Sequence, residues 1–201
     1  MSVQKTLRIY RHSLKDGKND SIGPLGIELA RQVAKQTIDR VVTDIFIGPL
    51  PRTTQTVEAM QSAVPDFFSG VVTLKSIPNL GSKEMFTFLT EPKVAGKGFK
   101  ELAERIGNLN ALFTLHTPAA FDFLKSIVRQ GVVNMFAEMI GNFAIGIFHS
   151  PTVELAAESF SIQLLLPPQF PEMSYVEFIK PEDDDFEILP KRHWICNIKV
   201  D

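Results

Sequence analysis

Leu7-Arg8-Ile9-Tyr10-Arg11-His12-Ser13 alternates in character through Tyr10 and then stops at an Arg-His pair, as a strand does where it ends in polar groups. A loop carrying Asp16, Gly17, Asn19, Asp20 and Gly23 follows, and a helix opens at Pro24. Proline suits that first turn because its missing N–H is one no helix would use there. Leu25, Leu29 and Val33 then fall at helical spacing, completing a strand, loop and helix unit.

The same unit recurs along the chain. Residues 44 to 48 read as a short apolar strand, and residues 53 to 62 as a helix with Thr56, Ala59, Met60 and Ala63 on one side. Residues 71 to 74 form a third predicted strand. Between 82 and 117 the pattern loosens into Gly, Pro, Lys and Glu around one helical run, 99 to 112. A helix is expected over 118 to 130, a strand over 143 to 148 and a helix over 152 to 160. The apolar stretch 131 to 148 is broken by Asn134, Glu138, Gly141 and Asn142, too short and too polar to span a bilayer. It reads as a buried helix or loop running into a buried strand. Residues 174 to 179 and 193 to 200 are expected to close the sheet, as a hairpin around the acidic run 182 to 185, itself a solvated turn.

Strands alternating with helices predict an α/β protein. The expected form is a three-layer α/β/α sandwich with a mainly parallel central sheet and a small cap inserted between the third strand and the His149 strand. At 201 residues the chain fits a single domain, 1 to 201, with residues 76 to 140 as cap or insertion. A formal net charge of −2 gives no general pull toward nucleic acid or an anionic membrane, so anion binding needs a local cation cluster. The single Cys196 rules out an intrachain disulfide framework and a multi-cysteine zinc site, and suits a reducing, cytoplasmic setting. Its expected role is packing, alternating with Trp194 and Ile198.

In parallel sheets ligands gather at the carboxyl ends of strands. Three such ends carry notable groups: Arg11-His12, Arg52 and His149. Together they predict a cationic pocket for a phosphoryl group. Guanidinium offers a planar fork of donors to phosphate oxygens, and an imidazole with one unprotonated nitrogen can attack phosphorus. Such a transfer needs positioning and charge neutralisation, with no metal and no cofactor required.

At these residues the chain resembles the histidine phosphatase superfamily, which includes cofactor-dependent phosphoglycerate mutase. Arg11-His12-Ser13 is similar to the family's strand ending in Arg-His-Gly. Residues 25 to 34 are similar to the helix signature that follows it. Gly48-Pro49-Leu50-Pro51-Arg52-Thr53-Thr54-Gln55-Thr56 resembles Ser-Pro-Leu-x-Arg-Thr-x-Gln-Thr, and Phe148-His149-Ser150 resembles the later Ser-His-Gly. The likeness covers residues 6 to 62 and 143 to 158. It implies that His12 is the nucleophile, that Arg11 and Arg52 grip the phosphate, and that His149 binds or polarises it. Glu84 is implied as the acid protonating the leaving oxygen, with Glu91 and Asp16 as the other carboxyls considered. Ser13, where the family has Gly, either narrows the pocket or donates its hydroxyl to phosphate.

The implied activity is metal-independent hydrolysis of a phosphomonoester through phosphohistidine, on a small phosphorylated substrate or a phosphoprotein. The alternatives are a mutase, for which Lys83, Lys93, Lys97 and Lys100 are candidate cap cations, and a catalytically weak phosphate-binding regulatory protein. His116 and His193 fit no motif and are expected at the surface or in strands. Glu154 and Glu158, four apart on a helix, are expected to form a solvated or salt-bridged face.

Overall fold

A computed structural model describes residues 4–17, 20–70, 73–77, 80, 85, 87–88, 91, 93–161, 170–181 and 187–200. The opening stretch is strand β1 (Lys5–Arg11), and it lies inside the sheet between β4 (Phe143–Phe148) and β5 (Tyr175–Lys180). With β2 (Asp44–Ile47), β3 (Thr73–Ser76) and β6 (Leu189–Trp194) the sheet order is β3-β2-β4-β1-β5-β6. The first four of these positions run parallel; β5 pairs antiparallel with β1, and β6 antiparallel with β5.

Strand alternation sends side chains to two separate cores, which is what makes three layers. Leu7 and Ile9 of β1, Phe46 of β2 and Phe148 of β4 share one core with the long helix at Pro118–Glu138 and the helix at Thr152–Ser159. On the other face Tyr10, Ile45, Ile145 and Ile147 pack with α1 (Pro24–Thr37) and α2 (Pro51–Ala63). Two further helices are α3 (Phe99–Ile106) and α4 (Asn108–Leu115), so the two helices of the first face are α5 (Pro118–Glu138) and α6 (Thr152–Ser159).

Several boundaries differ from the sequence expectation. The run 99 to 112 is two helices, broken at Gly107, whose φ of 83° lies in the left-handed region that glycine adopts without strain. The helix expected to stop at 130 continues to Glu138. Gly131 does not end it: a Cβ there would lie 1.6 Å from Leu80 Cδ1, so the glycine marks a close approach inside the helix. The apolar spacing of Val128, Val132 and Met135 carries the buried stripe past it. The last strand is Leu189–Trp194, earlier than 193 to 200, and holds Pro190, which an edge strand accommodates. Cys196 lies beyond it yet is buried in the same apolar cluster as Trp194 and Ile198, as packing requires.

Glu154 is corrected outright: it is 2 % exposed, so it cannot belong to a solvated face. The acidic run 182 to 185 lies outside the described residues. Among those described, no helix is long and apolar enough to cross a membrane.

Candidate active site

Strand register builds the site. Arg11 of β1 aligns with Phe148 of β4 in parallel pairing, so the residues that follow, His12 and His149, emerge side by side. His12 N–H donates to Phe148 O at 2.9 Å, and the two imidazole centroids are 5.0 Å apart. On the other side of β4, Ile47 aligns with Ile147, and Gly48 N–H donates to Ile147 O at 2.9 Å. A Cβ on Gly48 would sit 3.3 Å from His149 Nε2, so glycine leaves this imidazole its space.

The run after Gly48 then locks the strand ends together. Thr53 Oγ donates to Gly48 O at 2.7 Å, closing the turn that starts α2. Thr56 Oγ donates to Arg52 O at 2.7 Å and accepts from Ser13 N–H at 3.1 Å. Gln55 Oε1 accepts from Ile22 N–H at 2.9 Å. Each polar residue of the Arg-Thr-x-Gln-Thr stretch therefore has a positioning task, and Arg52 is delivered from the first turn of α2 toward the two histidines.

Tautomers follow from the partners. His12 Nδ1 lies 2.6 Å from Ser13 O, and because a carbonyl only accepts, Nδ1 carries the proton. Nε2 of His12 is then the unprotonated nitrogen. Arg52 Nε–H donates to His149 Nδ1 at 3.3 Å, which puts the proton of neutral His149 on Nε2. Both rings stay neutral. Burial is the largest cause lowering His12 to about 3; the Ser13 carbonyl pulls upward next, and the positive charges of Arg52, Arg11 and Lys15 add to the lowering. Burial and then Arg52 take His149 down to about 2.

A cleft of about 650 Å³ opens over this point, lined by Arg11, His12, Lys15, Arg52, Glu172 and Ser150 on one side and by residues of α3 and α4 on the other. Its cations are held by carboxylates. Arg52 pairs with Asp20 at 2.8 Å, and Lys15 reaches Asp20 at 3.5 Å. Arg11 donates to Phe170 O and pairs with Glu172 at 2.7 Å. At the site, Arg11 Nε and His149 Nε2 are buried donors with no hydrogen-bond partner among the described residues. Unpaired buried donors are uncommon, and both of these belong to the cluster at the strand ends.

Of the residues singled out in the sequence, Arg11, His12, Arg52 and His149 are brought together. Ser13 is not brought to the cleft: it is fully buried, and its hydroxyl donates to Gly26 O at 2.6 Å. Glu91 and Asp16 are exposed and do not line the cleft. Glu84 lies outside the described residues. The sequence reading missed Glu172, Asp20, Glu104 and Asn108, none of which sits in a motif or at a strand end.

No protein-family model matches the sequence, and no curated protein matches it. Solved structures do. Phosphoglycerate mutase from Bacillus anthracis aligns with a TM-score of 0.63 at 11 % identity, over 94 % of this chain and 92 % of that one. Phosphoserine phosphatase from Entamoeba histolytica, solved with 3-phosphoglyceric acid, aligns at 0.59 and 15 % identity over 96 % and 98 %. A mycobacterial glucosyl-3-phosphoglycerate phosphatase aligns at 0.52 and 13 % identity over 98 % and 100 %. The chain therefore has the α/β fold of phosphoglycerate mutase-like histidine phosphatases.

Proposed function

We propose that this chain, which has the phosphoglycerate mutase-like fold, belongs to the histidine phosphatase superfamily and hydrolyses phosphomonoesters through a phosphohistidine at His12. One observation carries this: the His12 Nδ1–H bond to Ser13 O leaves Nε2 as a neutral nucleophile beside two arginines.

In this scheme the substrate phosphate displaces Asp20 and Glu172 from Arg52 and Arg11, whose guanidinium groups hold its oxygens. The partnerless Arg11 Nε and His149 Nε2 supply two further donors as charge builds on the phosphoryl oxygens. His12 Nε2 attacks phosphorus, and the P–O bond to the leaving group breaks. The departing oxygen takes a proton from a carboxylic acid, the role proposed for Glu84. Water, giving a proton back to that carboxylate, then attacks the phosphohistidine; the P–N bond breaks, phosphate leaves and the neutral ring is restored.

The cap is proposed to consist mainly of α3 and α4, which place Lys100, Ala103, Glu104 and Asn108 over the cleft. α5 packs into the core against the sheet. Lys83 lies outside the described residues; among Lys93, Lys97 and Lys100, only Lys100 lines the cleft, and Glu104 lines it too, which favours hydrolysis over a mutase needing a strongly cationic lid. The Ser13 hydroxyl turns into α1, so the departure from Gly gives no steric ground for a binding-only protein. A cleft of this size suits a small phosphorylated substrate.

The test is turnover of an aryl phosphate. Wild type is expected to release phosphate, and His12→Ala is expected to lose at least about a thousandfold in kcat while keeping its circular dichroism spectrum. Wild-type turnover in His12→Ala would remove His12 as nucleophile.

A further inference from the structure

One wall of the cleft contains a closed hydrogen-bond cluster that the proposed chemistry does not use. Asn108 is the first residue of α4, reached through the left-handed Gly107. Its side-chain nitrogen donates to Glu154 Oε1 at 2.7 Å and to Ser150 Oγ at 2.5 Å. Ser150 Oγ in turn donates to the same Glu154 oxygen. Asn108 and Ser150 line the cleft, whereas Glu154 is buried behind them with its second oxygen unpartnered.

This cluster fixes which atoms face the cleft. A carboxylate only accepts, so the amide of Asn108 has its nitrogen toward Glu154, and both its N–H groups are engaged. With its nitrogen turned to Glu154 and Ser150, Asn108, which lines the cleft, has Oδ1 left as the acceptor it can offer there. The Ser150 hydroxyl proton is committed to Glu154, so Ser150 offers the cleft only a lone pair. Glu104, four residues before Asn108, lines the same wall with another acceptor. Besides the Lys100 ammonium, the wall thus presents these acceptors beside a phosphate pocket made of donors.

We propose that Asn108 determines specificity, selecting phosphomonoesters whose leaving group carries a further hydrogen-bond donor, a hydroxyl or an amine, and that Glu154 is a positioning residue acting through Asn108 and Ser150. The inference rests on the phosphate pocket proposed above. An alkyl leaving group would strip water from Asn108 Oδ1 without replacing its hydrogen bond, and that asymmetry produces discrimination.

The experiment is equilibrium binding by calorimetry with glycerol 1-phosphate, 2-aminoethyl phosphate and propyl phosphate. Wild type is expected to bind one of the two donor-bearing probes about tenfold or more tightly than propyl phosphate. Which of the two wins assigns hydroxyl or amine. In Asn108→Leu the ratio is expected to fall to within about twofold. Glu154→Ala is expected to lose the ratio as well, and Glu154→Gln, which retains an acceptor oxygen, to keep most of it. A purely structural role for Glu154 would lower thermal stability in both variants without moving the ratio.

A ratio near one in wild type overturns the inference even if no variant folds, and so does an unchanged ratio in Asn108→Leu. Binding of none of the three probes overturns it together with the phosphate pocket. The expected ratios in a protein that hydrolyses no phosphomonoester would uphold the inference while removing the phosphatase.

Discussion

Lowering the pH from about 7.5 to about 5 is expected to cost stability specifically through His12 and His149. In the folded protein their values lie at about 3 and about 2, pushed down by burial and by Arg52, whereas an exposed histidine in the unfolded chain titrates near 6.5. As pH falls through 6.5, the unfolded chain therefore takes up protons that the folded one refuses. The stability is fully present above that value and is lost progressively toward the folded values. At about pH 5 the folded rings are still neutral, so linkage gives a loss of about 2 kcal/mol per histidine and about 4 kcal/mol for the pair.

Urea unfolding of wild type and of the His12→Asn/His149→Asn double variant, at both pH values, measures this. Wild type is expected to lose about 4 kcal/mol more than the double variant over the interval. The depressed carboxyls Asp39, Asp44 and Glu177 are common to both proteins and titrate mainly below the interval. Equal losses in the two proteins would refute the buried neutral imidazoles, and with them a His12 Nε2 free to attack at physiological pH.

Two substitutions probe the supports of the site. A Cβ at Gly26 would lie 2.3 Å from Leu14 O, a backbone atom that cannot swing aside; Gly26→Ala is expected to destabilise by about 1–3 kcal/mol and to lower activity by displacing the chain after His12, read by urea midpoint and turnover. Asp20 is half exposed and holds Arg52 at the edge of the cleft; Asp20→Asn is expected to tighten inorganic phosphate binding about two- to fivefold at low salt, with the gain fading at high salt. Weaker binding would instead make Asp20 a support that Arg52 needs.

The strand ends were legible because parallel pairing converts apolar patterns into position. The patterns at 6 to 11 and 143 to 148 belong to strands whose register puts His12 beside His149, and the Thr and Gln residues after Arg52 hold that junction. Residues acting across long separations left no local sign. Glu172 meets Arg11 161 positions away, and Asn108 meets Glu154 46 positions away. Glu154 looked solvent-facing because helical spacing to Glu158 says nothing about which side carries a buried partner. Arg8 illustrates the same limit: it is 1 % exposed, bound to the buried Glu177 directly opposite on β5. The helix expected over 118 to 130 runs on through Gly131, whose close neighbour Leu80 comes from another part of the chain.

The central claim is that His12 Nε2 is the nucleophile, and it is tested most directly by finding where the phosphoryl group is held. Rapid acid-free quenching during turnover, followed by NMR of the isolated phosphopeptide, distinguishes the two ring nitrogens. The Ser13 carbonyl occupies Nδ1–H, so phosphorus is expected on Nε2 of His12 in an acid-labile, alkali-stable linkage. Phosphorus on Nδ1, on a carboxylate or on His149 would contradict it.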